Sequence, residues 1–326
     1  MTNDLSFPHR HHHSPELSPC VRVHNEESGQ KLLQFLQRRL HLPSTLLHRW
    51  IRSGQIRRNA SRCKPFERIE TDDVIRLPPF ARSLSPDTAI PTKDFHCTTD
   101  DDLPPIIGKD GNLWALNKPA GLPVQPGSGH DDCISTRLAA RFPLAHFSPT
   151  PVHRLDKDTS GILLTAFSYQ SLIFAQEALR HGNIAKEYIV WVHGCWPYPD
   201  VRLLRHHLHK TSKHGYEKVR IAPSAAEGRE ALCIARPLRI CARESLLQIR
   251  LLTGRTHQIR VQLAAFGHPV LGDSKYGSQD HRLNLFLHAA CVMLPNGHIF
   301  SCLPPWEGRY ALEKLPVMLD TSTVVI

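Results

Sequence analysis

The chain has no apolar run approaching the roughly 18 residues needed to cross a bilayer, so no membrane span is expected in it. It has no Cys-x-x-Cys pair. Its 9 cysteines stand singly, an odd number with no secretory signal ahead of them. A disulfide framework and a cysteine-built zinc site are therefore not expected, whereas reduced thiols in a cytoplasmic protein are. There is no glycine-rich cofactor loop and no internal repeat. Histidine is abundant, at 22 residues, yet His206, His207, His209 and His214 lack carboxylates or cysteines at ligand spacing. No metal and no cofactor are expected. Acidic residues are in deficit, 30 Asp and Glu against 40 Lys and Arg, for a formal charge of +10. That imbalance suits a polyanion, nucleic acid before an anionic membrane surface.

At 326 residues the chain is long enough for two domains. Residues 1–17, with His9-Arg10-His11-His12-His13, read as a disordered tail. Residues 18–79 form a small basic unit. Leu32, Leu33, Phe35, Leu36 and Leu40 predict a helix over about 30–40. Pro43 and Ser44 start a second helix, whose apolar face is Leu46, Leu47, Trp50 and Ile51 and which Gly54 stops. Strands are predicted at 55–58 and 73–77. Arg38, Arg39, His48, Arg49, Arg52, Arg57, Arg58, Arg62 and Lys64 surround this helix–turn–strand, a distribution that can follow a phosphate backbone. Residues 80–105, with Pro86, Pro91, Pro104, Pro105 and Asp100-Asp101-Asp102, read as a linker. A larger domain fills 106–320. Strands are predicted at 113–116, 162–166, 188–192, 246–252 and 291–294, and helices at 135–142, 168–180 and 256–266. Strands outnumber helices and the connections are mixed, so an α+β domain on a largely antiparallel sheet is expected.

Chemistry concentrates in His153-Arg154-Leu155-Asp156-Lys157-Asp158-Thr159-Ser160-Gly161, which precedes the strand candidate Ile162-Leu163-Leu164-Thr165. An imidazole, a guanidinium, two carboxylates and two hydroxyls on a turn exceed what packing requires. Asp-Lys-Asp-Thr also fits the Asp-x-Asp-x-Thr signature of haloacid-dehalogenase-type phosphatases. Those enzymes need an apolar strand before the first Asp; here the strand follows the motif. A second constellation is Gly254-Arg255-Thr256-His257-Gln258-Ile259-Arg260-Val261-Gln262-Leu263, with Ile259, Leu263 and Phe266 as its helical apolar face. Arg255 then sits at a helix N-terminus, where the dipole disfavours a cation. A specific anion, Asp156, is its expected partner, and the pairing would keep that carboxylate ionised as a nucleophile must be. Lys186-Glu187-Tyr188 heads a strand and can offer a phenol to a base. Asn117-Lys118-Pro119-Ala120-Gly121 presents a lysine on a turn.

In this order the elements resemble the RluA-type family of RNA pseudouridine synthases. The resemblance rests on 153–161, 254–260, 186–188, 118–121, Leu271-Gly272-Asp273-Ser274-Lys275-Tyr276-Gly277, Leu287-His288-Ala289-Ala290 and Leu303-Pro304-Pro305, and covers about 106–306. The basic unit ahead of it resembles the alpha-L RNA-binding domain, with the departure that Ser28-Gly29-Gln30-Lys31 lacks the usual charged residue early in the first helix. The resemblance implies that Asp156 is the nucleophile, that Arg255 holds it through a salt bridge, and that Tyr188 stacks on the uracil and takes its C5 proton. It implies that Arg154 fills the space left by the extruded base. His153 and Lys118 are counted with the RNA contacts, as are Arg49, Arg52, Arg57 and Arg58 of the basic unit. Asp158, Thr159 and Ser160 shape the loop. The domain combination implies large-subunit (23S) ribosomal RNA as substrate, with transfer RNA as the runner-up, and a monomer. A non-catalytic RNA-binding protein of the same fold is the alternative, which the intact Asp156, Arg255 and Tyr188 oppose.

Overall fold

The helical spacing at the start of the basic unit becomes α1, Leu32–Leu40, in the computed structural model, which describes residues 20–79, 81, 103–127, 131–213, 216–277 and 284–320. The expected tail at 1–17 and nearly all of the expected linker at 80–105 lie outside the described residues. The chain divides into two compact units, 1–96 and 97–326. In the first, α1 buries Leu32, Phe35, Leu36 and Leu40, which recur at helical spacing. After Pro43, α2 (Ser44–Arg52) buries Leu47, Trp50 and Ile51. Gly54, at φ +76°, ends the helix in a backbone conformation that suits glycine. The short strands β1 (Cys20–Arg22), β2 (Arg57–Arg58), β3 (Ser61–Arg62) and β4 (Val74–Arg76) form an antiparallel sheet in the order β1-β4-β2-β3. Asn59 fastens its hairpin, donating to Asp73 Oδ1 at 2.7 Å and accepting from Val74 N at 2.9 Å.

The second unit is α+β. Its strands are β5 (Ile106–Asp110), β6 (Leu113–Lys118), β7 (Thr150–Pro151), β8 (Ser160–Ala166), β9 (Ala185–His193), β10 (Arg202–Lys213), β11 (Tyr216–Ile221), β12 (Arg229–Ile240), β13 (Glu244–Leu251), β14 (Leu287–Met293) and β15 (Ile299–Ser301). Its helices are α3 (Ile134–Arg141), α4 (Tyr169–Arg180) and α5 (Gln258–Ala265). The strands make one 11-stranded sheet in the order β11-β10-β12-β13-β9-β14-β8-β6-β5, with β15 on β14 and β7 on β8. Among the described residues the pairs are antiparallel except β8 with β14. The five predicted strands are all present, each at slightly different bounds. The stretch β10–β12 was not predicted: it is rich in charge and histidine, which flank its one short apolar run at 231–235. The predicted helix at 256–266 begins at Gln258, a difference that matters for the site.

All seven residues of β8 are buried. Alternate positions serve opposite faces: Leu163 packs with Leu116, Tyr188 and Ile259, while Ile162 and Leu164 pack with Ala115, Leu172 and Ala175 of α4. Each such apolar side chain contributes about 1.5–3 kcal/mol, so the loop that precedes β8 is anchored at the sheet's firmest point. At Gly161, φ is +108°, and an added Cβ would lie 2.2 Å from Ala289 O of β14. No residue but glycine fits there, which is what lets β14 lie parallel against β8. One residue earlier, Ser160 Oγ meets His288 Nδ1 at 2.9 Å, and His288 Nε2 faces the Cys302 carbonyl at 3.1 Å. Since a carbonyl only accepts, Nε2 carries the proton and Nδ1 accepts from Ser160. Burial pushes this imidazole down to about 4, so it stays neutral.

Candidate active site

The loop 152–159 enters β8 from a tight turn closed by Thr159 N to Asp156 O, 3.1 Å. Its crest is tied to the β6 turn twice. Gly121 N donates to Lys157 O at 2.9 Å, and Lys118 Nζ donates to the same oxygen at 2.9 Å. Lys118 also donates to Pro119 O and Leu122 O, both at 2.8 Å. The lysine expected on an exposed turn is therefore completely buried, its charge spent on three carbonyls. Burial pulls its ammonium down to about 8, against the pull of Asp158 and Asp156. Lys118 is a structural clasp and cannot reach RNA.

His153 is a second correction. Its Nε2 accepts from Leu164 N at 3.2 Å. Burial, and then the charge of Lys186, push its imidazole down to about 3, so it lines the cavity of Asp156 as a neutral group rather than as a cation. Arg154 beside it is exposed. Asp158 is exposed at the turn, and Thr159 is buried.

The third correction concerns the partner of Asp156. It is Arg260, whose Nη1 lies 3.2 Å from Asp156 Oδ2. The same guanidinium makes a bidentate pair with Asp273, Nε to Oδ2 and Nη2 to Oδ1, both 2.8 Å. Asp273 is held in turn by the amides of Lys275 (2.9 Å) and Tyr276 (3.0 Å). Burial alone would raise the Asp273 carboxyl, but Arg260 and those amides outweigh it and hold it below the usual range. Arg255 instead turns outward and donates from Nε to Glu230 O at 2.9 Å. The cause is local. Gln258 Oε1 accepts from Arg255 N (3.0 Å) and Thr253 Oγ1 (2.8 Å), while its Nε2 reaches Leu232 O (3.0 Å). His257 then adopts a left-handed conformation, φ 53°, strained for a residue with a Cβ. Arg255 is thus placed before the helix, and Arg260 lies within its first turn.

Tyr188 stands on β9 opposite Ile249 and Ala289 and is 7% exposed. Burial and the nearby Asp156 charge raise its phenol, which stays protonated. Lys186, two residues earlier on β9, is lowered by burial. His257 Nε2 lies 3.9 Å from Asp156 Oδ1, and its Nδ1 lies 2.8 Å from Tyr276 Oη. Burial lowers this imidazole, more than Asp156 raises it. Asp156, Arg154, Lys186, Tyr188, Arg255, His257, Arg260, Leu251 and Leu287 line one cavity of about 280 Å³. The cavity brings together Asp156, Tyr188 and Arg255, the three residues expected to be catalytic, but the expected pairing of Arg255 with Asp156 does not form. Arg260 and Asp273 were legible only as parts of motifs: a buried arginine inside an apolar helix requires a carboxylate, and nothing local says which. Among the described residues, no group of three or more His, Cys, Asp or Glu gathers as a metal site; His214 lies outside them.

Of the arginines expected to bind RNA in the first unit, Arg49 and Arg52 are exposed. Arg57 is half-buried and donates to Gly54 O and Ala60 O. Arg58 does not stand free. It pairs with Asp73 at 2.7 Å and closes the hairpin, because Asp73 is otherwise a buried carboxylate. Cross-strand register adds a residue that the sequence reading left out: Arg57 lies opposite Arg62 on one side and Arg76 on the other.

Comparison with known proteins identifies the family and the fold. The RNA pseudouridylate synthase family matches residues 112–265. Ribosomal large subunit pseudouridine synthase C of Buchnera aphidicola (subsp. Schizaphis graminum) is 33% identical over 282 residues, covering 83% of this chain and 88% of the relative. The protein of that name from Haemophilus influenzae is 34% identical over 282 residues, covering 83% and 85%. Among solved structures, human RNA Pseudouridylate Synthase Domain Containing 4 shares the fold, with a TM-score of 0.52 at 24% identity over 61% of this chain and 88% of the other. The identity, and the coverage of both chains, place this protein within the RluA-type branch of the RNA pseudouridylate synthase family, to which it belongs.

Proposed function

We propose that the protein isomerises uridine to pseudouridine in large-subunit ribosomal RNA, with Asp156 as the nucleophile. The observation that carries the reading is a single carboxylate, ion-paired to Arg260, in a cavity walled by Tyr188. The relatives' names, ribosomal large subunit pseudouridine synthase, support the substrate. The reaction breaks the N1–C1′ bond, turns the base and joins C5 to C1′; the C5 proton leaves and N1 gains one, with no net redox change. Asp156 supplies the electron pair, at the ribose or at the ring. Arg260 fixes its direction. Tyr188, whose phenol burial and the Asp156 charge raise, supplies a stacking face for the base. The uridine must leave its stack, at about a few kcal/mol, and the exposed Arg154 fills the gap. The cavity holds one nucleoside and no duplex, which fits an extruded base.

In the first unit, like charges placed directly across a sheet destabilise it. A row of Arg62, Arg57 and Arg76 therefore suits a polyanion better than it suits the fold, and Arg49 and Arg52 extend that surface for RNA. The enzyme works as a monomer in the cytoplasm, where ribosomal RNA is modified. Among the described residues no helix is long and apolar enough to cross a membrane.

The test is tritium release from large-subunit RNA carrying [5-³H]uridine, with pseudouridine mapping. Wild type should modify defined uridines. Asp156→Ala should modify none while still binding RNA. Turnover by Asp156→Ala would sink the nucleophile, and modification of transfer RNA alone would move the substrate.

A further inference from the structure

Behind Arg255 lies a second cavity, of about 670 Å³ and open to solvent. It is built where the β10–β11 hairpin passes the loop before α5. Gly254, Arg255 and Thr256 line both this groove and the cavity of Asp156, so the two share a wall. Its floor is partly apolar, from Leu208 and the buried Val219. Its polar side chains are mostly cationic: Lys210, Arg229 and Arg255. The acid at the rim, Glu227, is already engaged by Ser224 Oγ at 2.8 Å.

Two features show that this groove is underused by the protein itself. Among the described residues, Arg229 makes no hydrogen bond or ion pair through its side chain, and Arg255 is held only at Nε. His209 Nδ1, enclosed in the same wall, has no hydrogen-bond partner.

Resting on the reading that this protein acts on RNA, we propose that the groove is an RNA subsite. It takes the nucleotide adjacent to the target uridine in the same strand. The shared wall dictates adjacency, since a strand that delivers one nucleoside to Asp156 must pass Arg255. Arg229 and Lys210 meet the phosphates, and the apolar floor receives the base face. Charge selects a nucleic acid here: cations converge on a floor too small for a protein helix.

The test uses the full chain and three RNA substrates carrying a uridine that wild type modifies, one with single-stranded flanks and two trimmed to the target nucleotide, each on one side. Arg229→Gln and Lys210→Gln together should flatten the salt dependence of log KM on the flanked substrate by ~1.4, two single-strand contacts at ~0.7 each. At 0.15 M salt that slope corresponds to a KM rise on the order of ten-fold, carried by KM and not by kcat. Trimming one side should abolish the difference between wild type and variant, and that side identifies which neighbour occupies the groove. An unchanged KM and salt slope, or an equal loss on every trimmed substrate, overturns the subsite. If wild type modifies no RNA at all, the underlying function fails rather than the groove. Thermal melts of the variant check that both exposed substitutions leave the fold intact.

Discussion

Arg260 serves two carboxylates at once, so its removal should separate stability from catalysis. Arg260→Met deletes the partner of Asp273, whose side chain is completely buried, and the partner of Asp156, which is partly open to the cavity. Breaking a buried pair on one side costs about 3–5 kcal/mol, because a desolvated charge is left behind. Asp273 keeps the amides of Lys275 and Tyr276, which places the loss at the lower end. Adding Asp273→Asn removes the stranded charge yet keeps an oxygen for those amides. The double variant should therefore regain at least ~2 kcal/mol, measured as the shift in the urea midpoint at constant slope.

Catalysis should not return with stability. Asp156 would still lack the guanidinium 3.2 Å from Oδ2 that fixes it. Misplacing a reacting group by about 1 Å costs ~100-fold, so kcat for tritium release should stay down by at least that factor in both variants. Arg255→Met is the control that the sequence motif alone would have nominated for the same defect. Its side chain is exposed and touches only Glu230 O, so stability should change by no more than ~0.5 kcal/mol, with any activity loss falling on KM. The reasoning is refuted if Arg260→Met, Asp273→Asn recovers kcat along with its fold, or if Arg255→Met loses kcat as deeply as Arg260→Met.

Lys118→Met should destabilise by ~2 kcal/mol: three carbonyls lose a charged donor at about 1–3 kcal/mol each, offset by relief of the ~3 kcal/mol burial penalty implied by a fall from 10.5 to about 8. Because the folded state releases this proton first, wild-type stability should rise with pH across 8 to 10.5, and the rise should shrink in Lys118→Met to the share of Lys186, which burial also lowers; urea titrations at pH 7.5 and 10 that show the same rise in both would exclude the clasp. His153 and His288, pushed to about 3 and about 4, act with the same sign at lower pH, where stability is lost as pH falls. The unfolded chain takes up their protons near 6.5 while the fold does not, so each should remove ~1.4 kcal/mol of stability per pH unit between about 6.5 and 4.5. Histidine ring NMR should show both neutral at pH 5.5, and titration of either near 6.5 would contradict the hydrogen bonds to Leu164 N and Ser160 Oγ.

What the sequence disclosed and what it withheld follow a physical line, the distance along the chain to a residue's partner. The strand β8 was legible because its partners are its own alternating neighbours, and α4 because Ser168 caps it within three residues, Ser171 N donating to its hydroxyl. The strands β10–β12 were not, because their stability comes from register with each other and their short apolar stretches are interrupted by charge and histidine. Asp156 and Tyr188 were legible as chemistry on a turn and at a strand start, needing no partner to be noticed. Arg260 pairs with residues 13 and 104 positions away, and Lys118 with an oxygen 39 positions away. From sequence, Arg255 and Arg260 differ only by which end of one helix turn they occupy. The choice between them lies in the Gln258 hydrogen bonds and the left-handed His257, neither of which has a periodicity to read. A motif can therefore specify that an arginine faces Asp156 without specifying which arginine, and the decision passes to the residues between them.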